Sequence, residues 1–104
     1  AMVESYDSPF TDLHHQIQEY SPGAALILES MKETCGARTA FYAAFVIVCL
    51  HGQLALSKQP IHTLSRQDLA GFTFFEHAKN DTYALSLFDE VFQTYQQERY
   101  GAGV

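Results

Sequence analysis

The run Ala40-Phe41-Tyr42-Ala43-Ala44-Phe45-Val46-Ile47-Val48-Cys49-Leu50 contains no charged residue and is apolar in every direction a side chain can point. Such a segment must be covered on all sides, which limits the folds open to the chain. Its β-branched end, Phe45 to Leu50, would suit a strand, but the flanks are helical in character and no second strand is available to pair with. The segment therefore predicts a central helix over about residues 37–57. A membrane-spanning helix needs about 20 largely apolar residues. Here the run ends at Arg38 on one side and at His51-Gly52-Gln53 on the other. It is too short to span and reads as a core helix.

Helix punctuation surrounds it. Ser8-Pro9 and Ser21-Pro22 each pair an N-cap hydroxyl with a proline suited to the first helical turn. Between them Phe10, Leu13, Ile17 and Tyr20 recur at three- and four-residue steps and form one apolar face. A second helix holds Ala25, Leu28 and Met31 and stops at Gly36, a residue suited to the left-handed conformation past a helix end. Pro60 breaks the chain after the central helix. Thr63-Leu64-Ser65 supplies caps for a fourth helix with Leu69, Phe72, Phe74, Phe75 and Ala78. Asn80-Asp81 forms a joint, and a fifth helix runs from Thr82 to about Tyr100, with Ala84, Leu87, Phe88, Val91, Phe92 and Tyr95 as its stripe. The expected fold is all-α: a compact bundle of about five helices in one domain over residues 1–104, with 1–6 and 101–104 loose.

With 104 residues there is no room for a second core. Burial scales poorly at this size, which favours a homo-oligomer. The net charge is −6, and the six basic residues (Lys32, Arg38, Lys58, Arg66, Lys79, Arg99) are scattered singly. Nucleic-acid binding needs clustered cations to neutralise phosphates, so the balance argues against it, and against an anionic membrane surface. The two cysteines, Cys35 and Cys49, fit neither a redox pair nor a zinc knuckle, and a reducing cytoplasm suits them.

No motif fixes a reaction. Among His14, His15, His51, His62 and His77 no two are three or four residues apart, the spacing that helical metal ligands use. The mixed pairs His15 with Glu19 and His77 with Asp81 lack a third ligand. His51 follows Cys49 by two residues, so on a helix their side chains diverge, and a buried, hydrogen-bonded histidine is the reading for it. Nucleophile elbows and phosphate-cradling glycine loops are absent. These observations predict no enzyme, no cofactor and no metal.

The aromatic residues are more informative. Eight Phe and six Tyr are many for this length. Phe72, Phe74 and Phe75 cannot share one helix face, because Phe74 lies about 100° from Phe75 and about 200° from Phe72. Either their helix is wedged between two others or a ring meets another chain. Phe41 and Tyr42 on the central helix raise the same question. Phe41, Tyr42, Phe72, Phe74 and Phe75 are thus the candidate interface. The expected function is a small acidic interaction module (adaptor, chaperone, immunity or regulatory protein) that binds a partner protein as a homodimer. The alternative is a helix-turn-helix-like DNA-binding regulator using residues 63–80. There Leu64-Ser65-Arg66-Gln67-Asp68-Leu69-Ala70 would be the first helix, although no basic recognition helix follows.

Overall fold

The long central helix is flanked by others that end where their caps dictate. The computed structural model describes residues 5–57 and 71–100, in the order α1 (Asp7–Tyr20), α2 (Pro22–Cys35), α3 (Ala37–Ser57), α4 (Thr73–His77) and α5 (Thr82–Tyr100). Among the described residues every regular element is a helix, and the architecture is an all-α bundle. Helices α1, α2 and α3 pack on one another, α5 lies along α2, and α4 rests on α3. The radius of gyration is 13.3 Å, close to the ~13 Å of a folded chain of about 100 residues.

Three of the expected caps form. Ser21 Oγ accepts from the Ala24 amide at 3.4 Å, with Pro22 opening α2. Gly36 has φ 98° and donates its amide to the Lys32 carbonyl at 3.0 Å, closing α2. Asp81 Oδ1 accepts from the Ala84 amide at 3.0 Å and starts α5.

Two boundaries differ. Helix α1 starts at Asp7 rather than after Ser8, with Tyr6 in the N-cap position and no side-chain cap. The reason is tertiary: the Tyr6 ring packs 5.5 Å from Phe41 and 5.8 Å from Tyr42, which anchors the chain before the cap sequence. Asp7 in the first turn complements the helix dipole. The expected fourth helix does not run through Phe72, which has extended backbone (φ −77°, ψ 146°) and precedes a helix of only five residues. This break separates Phe72 from Phe74, so the two rings point to different places without a helix covered on both faces. The expected break at Pro60 and the caps at 63–65, together with Leu64 to Ala70 of the helix-turn-helix reading, lie outside the described residues, as do residues 1–4 and 101–104.

Helix α3 buries its smaller side chains. Ala40, Ala43, Ala44, Val46, Ile47 and Leu50 are all at most 2% exposed, and the three alanines let the α1 and α2 backbones approach closely. The larger rings, Phe41, Tyr42 and Phe45, occupy the other side of the same helix and are only partly covered. Among the described residues, α1, α2 and α5 cover one face of the apolar run, and α4 covers the second only in part.

A contact invisible to sequence periodicity closes the α2–α5 seam. Glu98, near the end of α5, accepts from Ser21 Oγ at 2.8 Å and from the Gly23 amide at 2.9 Å. A carboxylate from one helix thus caps the N-terminus of another, where free amides and the helix dipole favour negative charge. Gly23 leaves room for this approach, since a Cβ there would lie 2.6 Å from Glu98 Oε2 and 2.8 Å from Thr94 Cγ2, so one of those side chains would have to shift.

Candidate protein interface

Phe45 follows Phe41 by four positions and Tyr42 by three, so on α3 its ring neighbours both. Phe41 lies 5.8 Å from Tyr42 and 6.3 Å from Phe45, ring centre to ring centre. Arg38, one turn earlier, donates from Nε to the Tyr42 hydroxyl at 3.3 Å and stands 5.7 Å over its ring. Tyr42 is therefore held in place, and its ring meets His77 of α4 edge-on at 5.2 Å. Below it Thr39 Oγ1 and His77 Nε2 are 2.9 Å apart in a hydrogen bond that ties α3 to α4.

Between these two helices lies a cavity of about 150 Å³, lined on the α3 side by Phe41, Tyr42, Phe45 and Val46 and on the α4 side by Phe72, Thr73 and Phe74. The structure thus gathers four of the five candidate interface residues around one groove. Phe74 belongs to its floor and is fully buried, its ring tilted by 31° against Phe88 at 4.9 Å. Its role is to hold α4 onto the core rather than to meet a partner. Phe75 stands apart from the groove and packs edge-on against Phe74 and Phe88, each at 5.1 Å. Phe41, Tyr42 and Phe72 are half-buried.

The most exposed ring of the group is one the sequence reading did not single out. Phe45 is 46% exposed at the rim of the groove. Its position four after Phe41 and three after Tyr42 was the available signal, hidden because the whole run is apolar. Among the described residues Leu26 and Tyr83, at 66% and 54%, are the other exposed large apolar side chains. Neither lines the groove, and scattered single residues of this kind are normal on a surface.

His51 is held as a packed histidine. Its ring stacks on Tyr20 at 3.7 Å, nearly parallel at 5°, and its Nδ1 is 2.8 Å from the buried hydroxyl of Tyr95. Burial, reinforced by the charge of Arg99, lowers its pKa. Burial also pushes the Cys49 thiol up, which disfavours the thiolate that nucleophilic chemistry needs. Tyr20 is pushed up to about 12, by burial first and by Cys49 and Glu19 next, and its hydroxyl has no hydrogen-bond partner. Three helices, α1, α3 and α5, meet in this cluster.

Among the described residues no group of three His, Cys, Asp or Glu side chains is placed to hold a metal ion. Nor is any described helix long and apolar enough to cross a membrane.

No family model, curated protein or solved structure matches this chain.

Proposed function

We propose that the protein is a small helical interaction module that self-associates through the aromatic groove between α3 and α4. The observation that carries this reading is Phe45, half-exposed beside the half-buried Phe41 and Tyr42 and placed at a cavity of about 150 Å³. A cavity of that size accepts a benzene ring. A ring standing at the rim of a ring-sized hole suits a two-fold contact, in which each copy fills the other's groove. Such pairing would complete the cover of α3 that four helices leave open. The half-buried rings of Phe41, Tyr42 and Phe72 would then form the surround that excludes water from the central contact.

The acidic net charge supports a basic surface on any further partner protein, because complementary charge speeds encounter and disfavours wrong partners. The functional class that fits is an adaptor, chaperone, immunity protein or regulator. A reducing cytoplasm suits Cys35 and Cys49, both free thiols.

The test is the oligomeric state by sedimentation equilibrium across a wide concentration range. The expected result is a reversible dimer that Phe45→Glu converts to a monomer while helicity is retained. A wild-type chain that stays monomeric at high concentration, or a variant that dimerises as before, would overturn the reading.

A further inference from the structure

We draw no further inference here: the strongest candidate, the ring cluster of Tyr20, His51 and Tyr95 where α1, α3 and α5 meet, rests only on the pKa shifts of Tyr20 and His51, two half-buried side chains.

Discussion

Removing the carboxylate that joins α5 to α2 should show how much of the bundle depends on one contact. In Glu98→Ala, Ser21 Oγ loses its acceptor at 2.8 Å and the Gly23 amide loses its own at 2.9 Å. Hydrogen bonds to charged groups contribute about 1.5–3 kcal/mol each when desolvated, and a carboxylate at a helix N-terminus adds roughly 0.3–1 kcal/mol. Glu98 is exposed, so water takes over part of its work at Gly23 and the ionic part is screened. Ser21 is 0% exposed, so its hydroxyl proton is left without a ready substitute. The net loss should be about 1–2 kcal/mol. In a domain of this size that corresponds to a fall in Tm of roughly 5–15 °C.

Gly23→Ala attacks the same contact from the other side. A Cβ 2.6 Å from Glu98 Oε2 must displace the carboxylate from its present position. Once Glu98 is gone the alanine should cost less, because the nearest crowding atom is removed and alanine favours the helix. A double-mutant cycle followed by thermal unfolding in circular dichroism, at one protein concentration, should therefore give strongly non-additive losses, with a coupling of about 1 kcal/mol. Additive losses, or a change below about 0.3 kcal/mol for Glu98→Ala, would show that the Glu98 carboxylate does not hold the α2–α5 seam.

Other outcomes follow from the same geometry. Tyr20→Phe removes a hydroxyl that has no partner, so stability should be unchanged or raised by up to about 1 kcal/mol in urea unfolding; a loss above that would mean the hydroxyl is bonded. Because the folded chain holds this phenol at about 12, above its ordinary 10.0, the neutral form is favoured, and stability should decline as pH rises beyond 10. His51 is held below its ordinary 6.5. The folded state thus favours the neutral ring, and its contribution is complete above pH 6.5 and lost as pH falls below that value. Tm measured from pH 7.5 to 5 should drop more in the wild type than in His51→Gln, and equal slopes would contradict this. Phe74→Ala empties a fully buried site and should cost roughly 3–5 kcal/mol, with faster amide exchange in α4; a loss near 1 kcal/mol would show that α4 is not anchored by this ring.

The start of α3 could be read from the sequence because Gly36 marks it locally. Ser21 and Asp81 likewise act within three residues of where they stand. The contacts missed are those between distant positions. Glu98 caps a helix that begins more than seventy residues earlier, and no spacing rule connects Glu98 to Ser21. Tyr6 lengthens α1 because Phe41 and Tyr42 receive its ring. Phe41, Tyr42, Phe72 and Phe74 stand around one groove while Phe75 lies outside it. The division of labour among them, with Phe74 in the core and Phe45 at the rim, depends on the break at Phe72 and on which side of α3 the alanines occupy. Neither is visible in a run that is apolar throughout.

Self-association across the aromatic groove puts residues of two copies of the chain in contact. Isotope-filtered nuclear Overhauser measurements on a mixture of labelled and unlabelled chains detect such contacts. Intermolecular cross-peaks are expected from the Phe45 ring to Phe41 and Phe72. Their absence in a sample that is dimeric, or cross-peaks that instead connect Leu26 or Tyr83, would contradict self-association across this groove.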